Sequence, residues 1–218
     1  MVGAMTHHEN NANLPMRRYI IKGMTMAAFV AGFPKLAHSI NLSIEEAVAP
    51  RMLGKSNAPV QVVEYYSMTC SHCASFHTQT FPRVKTQLID EGLVRFEMRA
   101  FPLDGLALRA HTMARALPMQ KYYPMIDLLM EKQLAWISAT DPIDALRKIA
   151  NSAGFSGAEF NSITENRPLL ERIVQLRQDA VQDFDITATP SFVINNETTI
   201  SGRLSFEEFA KKINATAT

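Results

Sequence analysis

Apolar residues follow two periods along this chain, and the switches between them mark its elements. After Pro59, the run Val60 to Tyr66 (VQVVEYY) is apolar and β-branched, which predicts a buried strand. Val94 to Ala100 alternates and predicts a second strand that stops at Phe101-Pro102. Between them, Ala74 to Ile89 carries Phe76, Phe81, Val84 and Leu88 at helical spacing, with Pro82 predicting a kink. From 104 to 184 the pattern is helical throughout. It predicts helices over Ala107 to Leu117 and Tyr122 to Trp136, then one that starts at Thr140-Asp141-Pro142 and stops at Gly154. A capping-box start follows at Ser156 to Glu159, and a long helix over Pro168 to Phe184. Strand character returns in Pro190 to Asn195 and Thr198 to Ser201, with Asn196-Glu197 as a two-residue turn. A second capping box, Ser205 to Glu208, opens a last helix through Ile213.

The order strand, helix, strand, helical block, hairpin, helix predicts an α/β fold: a thioredoxin-type unit with an inserted helical domain. Residues 40–103 form its first half, 104–184 the insertion and 185–218 the second half.

Residues 1–39 are set apart. Arg17, Arg18 and Lys22 precede a short apolar stretch, Met24 to Phe33, and Ala37-His38-Ser39 places small residues where a signal peptidase reads. The segment reads as a signal peptide cleaved after Ser39, with an uncleaved membrane anchor as the alternative. Met1 to Pro15 carries no such pattern, and Met16 is an alternative start. Export matters because it places thiols where disulfides persist.

Charge narrows the partners. The 218 residues carry a net charge of +1. Four basic residues and one acidic residue lie in 1–39, so the exported part is close to −2. Neither value makes a case for nucleic acid. Two cysteines, Cys70 and Cys73, are the whole supply. They are too few and too close to staple a fold, and a structural zinc site would need further ligands. Neither a metal nor a cofactor is expected.

A C-x-x-C directly after a strand and opening a helix is a redox signal. Only the thiolate attacks disulfides or leaves readily, and unpaired N–H groups at a helix start favour the anion at Cys70. His72, two residues on, is expected to add to this if protonated or donating a hydrogen bond. His77 and His111 are expected on the surface, Trp136 in the core, and Met68 lining a substrate groove.

With these residues placed, the chain resembles the DsbA-like branch of the thioredoxin superfamily. The likeness rests on GKSNAPVQVVEYYSMTCSHCASFH, FPLDGLALRAH and ITATPSFVIN, in that order. The resemblance implies that Cys70-Ser71-His72-Cys73 is the catalytic motif, with Cys70 the exposed nucleophile and Cys73 its buried partner in a redox disulfide. It implies that Glu64 assists proton transfer to Cys73. It also implies that Thr189-Pro190 is a cis-proline loop whose backbone pairs with substrate. The implied activity is disulfide introduction into reduced exported proteins in the periplasm, with reoxidation by a DsbB-like membrane partner. Ser71 departs from the proline common in that branch. Alternatives are a disulfide isomerase or reductase, a Cu(I)-binding protein using Cys70, Cys73 and His72, and a glutathione-transferase-like member. Cys73 argues against the last. A segment around Ile44 to Val48 is a candidate for oligomerisation.

Overall fold

The computed structural model describes residues 42–216; the expected signal peptide and its cleavage point lie outside them. The chain begins with α1 (Ile44–Val48), closed by a Ser43–Glu46 capping box, and a two-residue strand β1 (Met52–Leu53). Next come β2 (Val60–Tyr66) and a long helical segment over residues 71–89, whose α-helical turns are α2 (Ser71–Ser75) and α3 (Phe81–Val84), then β3 (Val94–Ala100). Six helices follow: α4 (Gly105–Arg115), α5 (Met119–Glu131), α6 (Gln133–Ile137), α7 (Pro142–Ser152), α8 (Gly157–Thr164) and α9 (Arg167–Phe184). The hairpin β4 (Ser191–Ile194) and β5 (Thr198–Ser201) precedes α10 (Phe206–Thr216).

The five strands form one sheet in the order β1-β3-β2-β4-β5. β2 runs parallel to β3 and antiparallel to β4. Six of its seven residues are buried, which explains the near-continuous apolar run: both faces of this strand are covered. Alternation sorts its side chains. Val63 and Tyr65 join Phe101, Ala180 and Ile186 on the face under α9. Val60, Val62 and Tyr66 join Cys73 and Phe76 on the other face. Glu64 has the parity of this second set, so strand geometry aims a carboxyl at the cysteine side.

The helical segment after β2 is not uniform. It runs as an α-helical turn over Ser71–Ser75, a wide π turn over Phe76–Thr80, an α-helical turn over Phe81–Val84 and a second wide turn over Lys85–Ile89. Pro82 has no N–H and its ring crowds the carbonyl four residues back, that of Thr78. The expected disturbance is therefore spread upstream, where Phe81 donates to the Phe76 carbonyl five residues back.

Other expectations shift in detail. The helix read as Tyr122 to Trp136 is two helices broken at Lys132. The turn residues of the hairpin are Asn195 and Asn196, both left-handed (φ 50° and 59°), rather than Asn196-Glu197. Asparagine tolerates that conformation, and Asn195 also latches the turn to β2 by accepting from the Gln61 amide at 2.8 Å. Ile44 to Val48 packs within its own chain: Ala47 is buried with Leu169 and Ile173 of α9.

The helical block has no core of its own. One apolar cluster joins Val62, Phe96, Phe192 and Phe209 of the sheet side to Leu129, Trp136, Leu146 and Phe160 of the block. Among the described residues no helix is long and apolar enough to cross a membrane.

Candidate redox site

The site starts where β2 ends. Ser67, Met68 and Thr69 form a tight loop, and Cys70 is the residue that opens the helical segment (φ −81°, ψ 118°). The loop is held from several directions. Ser67 Oγ accepts from the Leu103 amide at 3.3 Å, and Thr69 Oγ1 donates to Asp104 Oδ2 at 2.7 Å. Asp104 at the same time caps α4, its Oδ1 accepting from the Ala107 amide at 2.7 Å. From the helical block, Gln133 Nε2 donates to the carbonyls of Met68 (2.8 Å) and Cys70 (3.0 Å).

The two cysteines are unbonded and unlike. Cys70 is half-buried and Cys73 wholly buried. As a thiol, Cys70 donates through Sγ to the Thr189 carbonyl at 3.3 Å and does not cap the helix. The Thr189–Pro190 peptide is cis. As an anion, Cys70 is strongly favoured: its pKa falls to about 5. The hydrogen bond from the Cys73 thiol is the main cause, and burial opposes it. The Thr189 side chain and the backbone amides of Cys73 and His72 add to the lowering. These amides occupy the second and third positions of the helix, whose N–H groups normally bond a capping side chain. His72 thus acts on the sulfur through its main chain, while its side chain is exposed beside exposed Ser71.

Cys73 moves the opposite way. Burial first, then the Cys70 sulfur and the Glu64 carboxyl, push it above the ordinary thiol range. Glu64 is also wholly buried, neither carboxylate oxygen has a hydrogen-bond partner, and burial followed by the charge on Cys70 raises its pKa well above the usual carboxylate range. An unpartnered buried carboxyl is tolerable only when neutral, so Glu64 holds a proton next to Cys73.

Three expectations are corrected. Met68 is fully buried and packs in the main core, so its side chain lines no substrate groove; only its carbonyl faces the loop. His77 is buried rather than exposed: it stacks on Phe81, and its Nε2 bonds Asp127 at 2.5 Å. His111 is buried edge-on against Tyr66, and burial lowers its pKa to about 3, so it stays uncharged. Helical periodicity could not place these histidines inside, because imidazole is read as polar. Gln133 was missed altogether. A glutamine in a helical run carries no signal until the fold puts a loop opposite it. Among the described residues no cluster of three or more His, Cys, Asp or Glu side chains gathers as metal ligands.

The chain as a whole has counterparts among known proteins. The thioredoxin family model matches residues 46–215. A Rickettsia bellii protein named protein-disulfide oxidoreductase is 26% identical over 145 residues, covering 66% of this chain but only 56% of that relative's length. Disulfide bond formation protein D of Bacillus subtilis is 25% identical over 154 residues, covering 67% of this chain and 68% of the relative. The crystal structure of Wolbachia pipientis α-DsbA1 is 26% identical, covers 77% of this chain and 90% of its own, and superposes with a TM-score of 0.70. Bacillus subtilis BdbD, at 22% identity and a TM-score of 0.66, shares the fold. With a buried and a half-buried cysteine at the start of the helical segment after β2, a structural likeness to a DsbA protein, and a family match across most of its length, the chain belongs to the thioredoxin family.

Proposed function

We propose that this chain is an exported thiol:disulfide oxidase that introduces disulfides into reduced proteins. The observation that carries the reading is the unequal pair of thiols: one half-exposed sulfur favoured as an anion, accepting a hydrogen bond from a buried neutral one. Stabilising the reduced Cys70 thiolate makes the Cys70–Cys73 disulfide the better oxidant, because the reaction that forms the thiolate is the more favourable.

In the cycle, a substrate thiolate attacks Cys70 Sγ of the enzyme disulfide. The S–S bond breaks, Cys73 leaves with the electron pair, and Glu64 supplies the proton that keeps it neutral. A second thiolate of the substrate then attacks the substrate sulfur of the mixed disulfide and expels Cys70 as its stable thiolate. The substrate leaves with a new disulfide, and the enzyme holds two extra electrons as a Cys70 thiolate and a Cys73 thiol, with Glu64 regaining its proton from solvent. Ser71 and His72 present the sulfur at the surface. The Thr189-Pro190 loop, against which Cys70 lies, is where an extended substrate segment pairs. A membrane-bound quinone-linked partner of the DsbB kind takes the electrons away, which fits a periplasmic location and the leader-like segment at 16–39.

Oxidation of reduced ribonuclease and rescue of scrambled ribonuclease separate the candidate activities. The oxidase reading expects fast stoichiometric oxidation of the former by the disulfide form, loss of it in Cys70→Ser, and little rescue of the latter. Efficient rescue with a thiol titrating near its ordinary value would make the protein an isomerase or reductase instead.

A further inference from the structure

Gln133 opens α6 in the helical block, 63 residues along the chain from Cys70, and is 5% exposed. Its amide nitrogen has two hydrogens, and two carbonyls receive them: Met68 at 2.8 Å and Cys70 at 3.0 Å. The orientation of the amide is settled by its neighbours, because an oxygen in that place would meet two acceptors. The Cys70 carbonyl also accepts from the Ala74 amide at 3.1 Å, the first bond of the helix. Gln133 therefore grips both ends of the peptide step that carries the sulfur into the helix.

The direction of the Cys70 carbonyl fixes that residue's ψ, and ψ decides where the sulfur lies relative to the amides of the next turn. The same two carbonyls put negative dipole ends beside a sulfur that must carry a full negative charge. Hydrogens donated onto them offset those ends.

We propose that Gln133 is a positioning residue for the redox centre: by holding the Met68 and Cys70 carbonyls it keeps the Cys70 sulfur in its place at the start of the helix, and so sets the oxidising strength of the pair. The inference rests on the oxidoreductase reading above.

The test uses the full chain with Gln133→Leu, Gln133→Glu and Gln133→Lys, reading thiolate absorbance against pH and the equilibrium with glutathione. Leucine removes both donors. It should lower the thiolate:thiol ratio at a fixed pH by about tenfold, with the glutathione equilibrium moving by a similar factor toward the enzyme disulfide. Glutamate sets an anion against two acceptors and should move both readings further the same way. Lysine keeps donors and adds positive charge, so its midpoint should lie at or below that of the parent. A role in packing alone would shift the three together or not at all. Unchanged midpoints in the Leu and Glu variants, or a Lys variant that rises with them, would overturn the proposal. If the Leu variant fails to fold by circular dichroism, the opposite signs expected for Glu and Lys still decide it. A parent midpoint near that of an ordinary thiol would sink both this inference and the oxidase reading, whereas a low parent midpoint with unresponsive variants sinks this one alone.

Discussion

Glu64 is the residue on which chemistry and stability meet. Its folded pKa lies above the ordinary carboxylate value, chiefly because of burial. The sign follows directly. The folded state keeps a proton that the unfolded state releases, so Glu64's contribution to stability is whole below about pH 4.5 and is lost as pH rises through the folded pKa. Removing the titration with Glu64→Gln should leave a protein that overtakes the parent progressively above that point, by up to about 1.4 kcal/mol per pH unit. Urea unfolding of parent and variant, both kept reduced, at several values from pH 4 to 8 measures the gap; parallel curves would show that the carboxyl is not held neutral. The variant should also slow the step in which Cys73 departs. The sequence offered Glu64 through family likeness and through the parity of β2. It could not show that the carboxyl has no partner, because that depends on what does not surround it in the fold.

At the scale of elements, Asp104 does two jobs: one oxygen caps α4 and the other receives Thr69 Oγ1 from the loop before Cys70. Asp104→Ala removes both and should cost about 1 kcal/mol of stability. Asp104→Asn retains an acceptor oxygen for the cap and should recover most of that loss; thermal unfolding of the two variants checks the order. Helix starts of this kind were readable because capping is local. Ser156 with Glu159 and Ser205 with Glu208 both form the reciprocal bonds their spacing suggests. The principal strands were readable because period-two patterning and β-branching need no tertiary knowledge. β1 and α1 were not: two residues show no period, and a five-residue helix exists because α9 and the sheet receive it. The disturbance around Pro82 was readable from the proline itself, whereas the break at Lys132 has no proline or glycine beside it to announce it.

For the molecule as a whole, the continuous core decides how it should unfold. Trp136, the sole tryptophan, sits 1% exposed in the helical block and reports on that block's packing. Because its cluster extends to Phe76 and Phe192 at the sheet, fluorescence and far-ultraviolet circular dichroism should trace one urea transition. Leu146→Ala, at a wholly buried position in the block, should cost about 2–5 kcal/mol and move both probes together. Two separated transitions would mean that the insertion folds alone. The sequence showed an inserted run of helices; it could not show that the run shares its interior with the rest, since shared burial is a property of contacts between distant segments.

The groups that act on Cys70 are the Cys73 thiol and the amides of 72 and 73, gathered by the helix start, and Thr189, brought from the far end of the chain. The helix start is not held in place, and Thr189 does not lie beside it, until the polypeptide has closed on itself. A newly made copy therefore carries two everyday thiols, mostly protonated at neutral pH. On the proposed oxidase reading, reactivity toward other sulfurs is acquired with tertiary structure, so folding itself works as the safety catch on this chemistry.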